Sequence, residues 1–257
     1  MAQRVDYDQI ATTYDARYAS GLYEGVLEAL RALVLANKPR SVLEVGCGTG
    51  YWLTALRTLA PRIYGLDYSL AMLRKARDTD STKSLVRATA EALPFRSGTL
   101  DLIFCVNAIH HFGRIDQFIV EARRLLRPGG YLSVIGMDPH HGRDRWCVYD
   151  YFPQTRATDL ARYPSSGQII DTMLQVGFTR VDCRVACRFA QTRRGRSVLE
   201  DPELQRRGCS QMALLTDEQY AAGMERIGAA FHSQSAPPDF KVDIAMMMQC
   251  GQVGDHG

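Results

Sequence analysis

The run Val42-Leu43-Glu44-Val45-Gly46-Cys47-Gly48-Thr49-Gly50 constrains this chain more than any other stretch. It reads as a buried strand ending in an acid, a turn of alternating glycines, and a helix that starts near Tyr51. A turn without Cβ atoms lets a ligand approach the backbone closely. At the carboxyl edge of an open parallel sheet, that is where small molecules bind. The spacing is not the dinucleotide pattern, which needs glycine at 46, 48 and 51, because position 51 is Tyr. A pyrophosphate is held by the free N–H groups of a helix N-terminus. An acid at the strand end, Glu44, suits a cationic ligand better.

The rest of the chain supplies an ordinary globular frame for that turn. Its 257 residues fit one large domain, or one domain with a lid. A hydrophobic content of 46% with 23% charged residues is that of an ordinary soluble globular protein. A net charge of +3 is too mild to imply a nucleic-acid or membrane partner, and the arginine clusters read as solvated faces. The first residues lack an apolar secretory core, and no apolar run reaches membrane-span length. Seven scattered cysteines then point to reduced thiols and a cytoplasmic location. No C-x-x-C or H-E-x-x-H spacing occurs, so no metal site is expected.

Hydrophobic period switches repeatedly between strand and helix, the signature of an α/β fold. Strands are expected at 41–46, 62–67, 83–89, 100–107 and 131–136, with helices at 21–36, 51–59, 69–77 and 116–127 between them. Pro128-Gly129-Gly130 reads as a stop before the fifth strand. Five strands alternating with helices give a right-handed, doubly wound sheet. Beyond 138 the texture changes to aromatics and turn residues, including Trp146, Tyr149, Tyr151 and Phe152. A helix at 165–176 precedes a strand at 178–189. Thr216 and Gln219 form a capping box for a helix reaching His232, a last strand covers 239–249, and 251–257 reads as a frayed tail.

Five segments in order carry a resemblance. They are Tyr7-Asp8-Gln9-Ile10-Ala11-Thr12-Thr13-Tyr14-Asp15; the glycine run; Gly65-Leu66-Asp67-Tyr68-Ser69 through Leu73; Ala90-Glu91-Ala92-Leu93-Pro94-Phe95; and Asp101 through Phe112 followed by Leu125-Leu126-Arg127-Pro128-Gly129-Gly130. Together they resemble class I S-adenosylmethionine-dependent methyltransferases of the small-molecule, ubiquinone/menaquinone-biosynthesis type, over about half the chain. The resemblance implies a doubly wound, seven-stranded, Rossmann-like sheet with its last strand antiparallel. It implies one methyltransferase domain over 1–257: an N-terminal helical cap (1–37), a cofactor-binding core (38–137), an aromatic lid (138–165) and a helical insertion before the last strand (191–238).

The resemblance also assigns roles. Glu44, Gly46, Cys47, Gly48 and Gly50 would form the cofactor turn, and Asp67 would hold the ribose hydroxyls. Tyr68 and Met72 would flank the adenine. Thr89 and Ala90 stand where the family usually has Asp-Ala, so the adenine contact falls to Thr89 or shifts to Glu91. The Asn107 carbonyl would meet the methionine ammonium, and Tyr14 would fold over the sulfonium. Candidate bases are His111, in the His110-His111 pair after the fourth strand, and His140 or His141 after the fifth. Tyr149, Asp150 and Tyr151 are rival substrate contacts. The absence of Asn/Asp-Pro-Pro-Tyr after the fourth strand disfavours nucleic-acid or glutamine N-methylation.

The implied reaction is methyl transfer to oxygen or carbon of a small, lipophilic or aromatic metabolite. The aromatic lid and Met246-Met247-Met248 suit such an acceptor. The protein would act as a monomer or homodimer. Three alternatives stay open: a cyclase or binding protein of the same fold, an arsenite methyltransferase using Cys147, Cys183, Cys187 and Cys209, and a nicotinamide oxidoreductase. The acceptor, the atom methylated, the need for a base and the role of the cysteines are not set by these residues.

Overall fold

Every residue of the strand Ser41–Val45 is buried, as a central strand covered on both faces requires. The computed structural model describes residues 5–11, 14–81, 84–233 and 238–254. In chain order, α1 (Glu24–Asn37), β1 (Ser41–Val45), α2 (Tyr51–Leu56), β2 (Arg62–Asp67), α3 (Leu70–Thr79), β3 (Ser84–Arg87), β4 (Leu100–Val106), α4 (Ile115–Leu125) and β5 (Leu126–Met137) build the first half. The second half comprises β6 (Arg145–Trp146), α5 (Cys147–Tyr151), α6 (Gln154–Arg162), α7 (Ser166–Gln175), β7 (Phe178–Arg194), α8 (Ser210–Ala213), α9 (Asp217–Ser233) and β8 (Asp239–Val253).

The strands lie in the order β3-β2-β1-β4-β5-β8-β6, with β7 also paired to β8. Neighbours among β1–β5 are parallel, and β6, β7 and β5 all meet β8 antiparallel. This is the expected doubly wound sheet with an antiparallel end, the two-residue β6 adding an eighth strand. The chain winds outward from β1 through β2 to β3, then returns to β4 on the other side. The crevice between the carboxyl ends of β1 and β4 is therefore the topological switch point, where an open α/β sheet takes its ligand.

Two apolar layers cover the sheet. One joins Val26, Leu30, Trp52, Leu56 and Phe104 to Phe152, Phe240, Met246 and Met248. The other joins Leu43, Leu66 and Ile103 to Phe118, Ile119, Leu125 and Met173. Met246 and Met248 are thus core residues. The Asp101 carboxylate staples β4 to the start of β1, accepting from Arg40 N, Ser41 N and Ser41 Oγ at 2.9, 2.8 and 2.8 Å.

Several boundaries differ from the expectation. β5 begins at Leu126 rather than 131, because Leu126 pairs with Leu100 and a register shift then absorbs Pro128-Gly129-Gly130. β7 runs to Arg194 and β8 to Val253, pairing along their length from Phe178↔Val253 to Arg194↔Asp239. Gly251 and Val253 are accordingly buried strand residues rather than tail; the rest of the proposed tail, 255–257, lies outside the described residues.

The aromatic segment after β5 is built into the core. Trp146, Cys147, Val148 and Phe152 are buried, and a Cβ on Gly223 of α9 would meet the Phe152 ring at 2.1 Å. What lies across the carboxyl edge is the N-terminal arm, two 3-10 turns at Tyr7–Gln9 and Tyr14–Ser20.

Candidate active site

The glycine turn is a tightly wound backbone loop. Gly46 N and Cys47 N both donate to Leu66 O, at 2.7 and 3.0 Å, and Gly50 N donates to Cys47 O at 2.9 Å. Gly46 and Gly48 have φ of +75° and +52°, a region that L side chains enter only with strain. A Cβ on Gly46 would come within 2.5 Å of Ala108 Cβ. On Gly48 it would meet only Tyr14 Cε1, at 3.7 Å, so Gly48 faces the open side. The Cys47 side chain turns inward against Leu53 and Leu73, leaving only its backbone for a ligand. Glu44 lies below the turn, buried at 1% exposure and in register with Gly65 and Phe104.

Asp67 closes the other side of the crevice. Its Oδ2 accepts from Gly48 N and its Oδ1 from Ser69 N, both at 2.8 Å. Burial raises its pKa, against the lowering effect of those backbone donors. Ser69 caps α3, accepting from Met72 N at 3.1 Å, which fixes the chain direction just after the carboxylate. Tyr68 is exposed, with Arg87 Cζ 6.0 Å from its ring. Met72 is buried beneath Ile10 and Ala11 of the arm. Thr89 is exposed and Ala90 buried. Glu91 is already engaged: its Oε1 accepts from Gly113 N at 2.6 Å and Arg114 N at 3.2 Å. Asn107, at φ +48°, donates its N–H to Ile135 O at 2.8 Å, while its side-chain Oδ1 is buried without a hydrogen-bond partner.

The arm is tied across this edge by side chains. Asp8 Oδ1 accepts from Ser69 Oγ at 2.5 Å and from Ala71 N at 3.3 Å. Asp15 accepts from Thr49 Oγ1 at 2.5 Å and pairs with Lys75 at 3.1 Å. Tyr14, placed over Gly48, carries the Arg17 guanidinium 3.8 Å above its ring. Its face is therefore already shared with a cation from the chain itself.

Beyond the arm lies a largely buried polar and aromatic cluster. The Tyr7 hydroxyl and His111 Nε2 are 2.5 Å apart. The His110 ring lies 3.9 Å from that of His111 and stacks on Tyr163 at 3.8 Å. Burial, followed by the charges of Arg162 and Arg17, presses His111 down to about 3. Burial does the same to His110, well below its ordinary value, and His111, Arg162 and Arg17 add to it. Both imidazoles are therefore neutral at physiological pH. Burial holds Tyr7 and Tyr163 well above the usual phenol range.

His140 and His141 do not join this cluster. Both sit in a 3-10 turn capped by Asp138, which accepts from His140 N at 3.0 Å. His140 is exposed and its Nε2 bonds Tyr163 O at 2.8 Å. His141 accepts from Arg143 N at 3.0 Å and lies 3.6 Å from Asp144. Tyr149 donates to Asp159 at 2.9 Å in the outer wall. Sequence reasoning passed over Tyr7, Asp159, Arg162 and Gln211. For Tyr7 a signal existed, its place in the same arm motif as Tyr14. For the others none is visible, because they meet only through tertiary packing. An open 530 Å³ depression lined by Arg57, Pro61, Arg62 and Ser84 lies at the opposite, amino edge and belongs to none of this.

The methyltransferase domain family matches residues 43–134, the span from β1 through most of β5. The matched span is a class I S-adenosylmethionine-dependent methyltransferase domain. Its relatives include a malonyl-[acyl-carrier protein] O-methyltransferase of Legionella pneumophila, 30% identical over 189 residues, which cover 72% of this chain and 60% of that protein. A phthiotriol/phenolphthiotriol dimycocerosates methyltransferase of Mycobacterium ulcerans is 37% identical over 111 residues, 42% of this chain and 41% of the relative. The methyltransferase domain chain thus spans about half the length of these relatives. Among solved structures, one described as a methyltransferase from an antibiotic biosynthesis pathway of Anabaena variabilis superposes with a TM-score of 0.68 at 21% identity, covering 88% of this chain and 96% of that one. The same fold, at a TM-score of 0.55 and 19% identity, occurs in the [4+2]-cyclase SpnF, over 88% of this chain and 80% of that one.

Proposed function

We propose that the protein transfers the methyl group of S-adenosylmethionine to an oxygen or carbon of a small lipophilic or aromatic acceptor, with Tyr7 and His111 handling the acceptor's proton. The observation that carries this reading is the 2.5 Å, part-buried contact between Tyr7 OH and His111 Nε2, in an aromatic and polar cluster beside the glycine turn. S-adenosylmethionine, when bound, supplies an activated methyl on a sulfonium with a neutral leaving group.

The residues fit such a ligand. The open side of Gly48 admits a nucleoside against the backbone. Asp67 spends one lone pair of each oxygen on backbone N–H groups and keeps others for a ribose diol. The unpartnered Asn107 Oδ1 is an acceptor suited to the ammonium, in addition to the backbone carbonyl there. Tyr68, Met72, Thr89 and Ala90 border the adenine side in this reading, whereas Glu91 is spent on the loop before α4.

Proton handling then falls to the arm. Tyr7 relays the acceptor proton to His111 Nε2, which is neutral and able to receive it. A weakly basic imidazole suffices, because an oxygen that is gaining a methyl becomes strongly acidic as the bond forms. The arm and the aromatic wall exclude water while the reacting atoms are held in line. His140 and His141 have no part in this step.

Relatives that act by name on malonyl-[acyl-carrier protein] oxygen and on phthiotriol dimycocerosates support an oxygen or lipid-like acceptor. The thiols argue against metalloid chemistry: burial pushes Cys187 up to about 11 and Cys147 and Cys209 to about 12, so they are not thiolates at neutral pH. No helix among the described residues is long and apolar enough to cross a membrane. We place the enzyme in the cytoplasm, as a monomer or homodimer, with a small-molecule rather than a nucleic-acid acceptor. The test is incubation of a metabolite extract with methyl-labelled cofactor, followed by mass spectrometry. A labelled small molecule that depends on Tyr7 is the expected result; label confined to protein or nucleic acid would reject the reading.

A further inference from the structure

Arg162, the last residue of α6, is charged, deeply buried and only partly used. Its side chain is 6% exposed. Its Nη2 donates to Asp159 Oδ1 at 2.7 Å and to Ser210 Oγ at 3.2 Å. Its Nε and Nη1 are buried and have no hydrogen-bond partner. Asp159 cannot serve them. It is fully buried, and its Oδ2 already accepts from Tyr149 OH and Gln211 Nε2, each at 2.9 Å. Gln211 also donates to Tyr163 OH at 3.3 Å. The Asp159 network therefore fixes where the guanidinium points without exhausting it.

A second, independent observation lies at the same Tyr163 ring. His110 is buried, stacks on Tyr163, and its Nδ1 has no partner. Arg162 Cζ is 5.6 Å from the Tyr163 ring, so the imidazole and the guanidinium both approach that ring. The Arg162 charge also reaches His110, His111 and Tyr7, lowering the pKa of each. Buried donors left unmade are costly, and charged ones more so. A guanidinium held by one carboxylate with donors to spare is suited to a second anion.

We propose that this part of the cluster binds an anionic oxygen of the methyl acceptor, a carboxylate or an ionised hydroxyl, with Arg162 as its charge partner and His110 Nδ1–H as a second donor. The proposal rests on the methyl-transfer reading and narrows its acceptor from lipophilic or aromatic to one that also carries a negative oxygen. Asp159, Tyr149 and Gln211 are positioning residues for Arg162.

The test uses the full chain saturated with S-adenosylhomocysteine and titrated calorimetrically with benzoate, 4-nitrophenolate and the neutral benzamide. At least one anion binds tighter than benzamide by about tenfold or more, and which one does so separates a carboxylate from an ionised hydroxyl. Arg162→Gln removes that preference and leaves the affinity for S-adenosylhomocysteine unchanged. Because Arg162→Gln strands a buried Asp159, the double variant Asp159→Asn/Arg162→Gln, whose amides keep the network neutral, repeats the test. Three results overturn the proposal: equal binding of all three probes to the wild type, an anion preference that survives in the double variant, or a loss of S-adenosylhomocysteine affinity with Arg162, which would give the guanidinium to the cofactor's own carboxylate. Failure of the wild type to bind S-adenosylhomocysteine at all would remove the methyl-transfer reading itself, and this shows before any probe is added.

Discussion

The Tyr7 hydroxyl meets His111 Nε2 at 2.5 Å across 104 residues of sequence. One partner belongs to a 3-10 turn of the N-terminal arm and the other to the loop after β4. The cluster is thus completed by a segment outside the sheet, held down at Ser69 and Thr49 by Asp8 and Asp15. In the proposed reading the sheet edge supplies the ligand seat, and the arm supplies both the cover and one half of the proton-handling pair.

Tyr7→Phe separates these two contributions. The ring is kept, so the packing against Ile10, Met72 and Tyr14 persists, but the hydroxyl is gone. Turnover falls by about a hundredfold, the usual worth of one acid–base group, while calorimetry finds S-adenosylhomocysteine binding unchanged. A variant with normal turnover and weakened cofactor binding would make Tyr7 part of the ligand seat instead.

Asp15→Ala tests the latch. Asp15 bonds Thr49 at 2.5 Å and Lys75 at 3.1 Å, with its own side chain 42% exposed. Such a partly exposed pair contributes up to about 1 kcal/mol, which corresponds to about fivefold in a rate. S-adenosylhomocysteine leaves the variant about that much faster in stopped-flow fluorescence, with the melting temperature little changed. Identical off-rates would show that the arm does not gate the seat.

Local signals made much of this legible before any coordinates. The glycine turn, the Asp67 strand end, the Ser69 cap and the Thr216–Gln219 box all depend on residues within a few positions of each other. What escaped depends on partners far along the chain. The last five residues of β7, Ala190 to Arg194, show no apolar run; they are strand because Asp239–Asp243 lies beside them. Phe152 reads as part of a lid, yet α9 covers it from about 70 residues away, at Gly223. The doublet His140-His141 looks like His110-His111, but the Asp138 cap turns it outward, and only His111 meets Tyr7.

Gly46 and Gly48 of the turn should behave oppositely. A Cβ at Gly46 would sit 2.5 Å from Ala108 Cβ at φ +75°, inside packed structure. Gly46→Ala therefore lowers stability by about 1–3 kcal/mol from backbone strain, plus the clash. A Cβ at Gly48 meets only Tyr14, at 3.7 Å, so Gly48→Val folds with the strain alone and loses cofactor binding, because its side chain fills ligand space. Urea unfolding and calorimetry on both variants check this; retained binding by Gly48→Val would remove the turn from the seat.

The buried imidazoles set a pH dependence whose sign can be worked out. An unfolded chain protonates histidine at a pKa near 6.5, whereas burial and the neighbouring Arg162 and Arg17 hold His111 at about 3, and His110 is pressed down by burial, His111 and the same arginines. Between those limits the unfolded state binds protons that the folded state refuses. Stability from these two groups is therefore present above the unfolded pKa and drains away as pH falls below it, by about 1.4 kcal/mol per pH unit for each imidazole. Buried Asp67, Asp159 and Glu203, whose pKa values are raised by burial, oppose the trend at lower pH, where carboxylates titrate. The clean window is thus about pH 5 to 6.5. Urea midpoints across it fall steeply for the wild type and much less for His110→Gln/His111→Gln. Parallel slopes for the two proteins would mean that these rings take up protons in the folded chain, and the neutral His111 that receives a proton from Tyr7 would be lost with them.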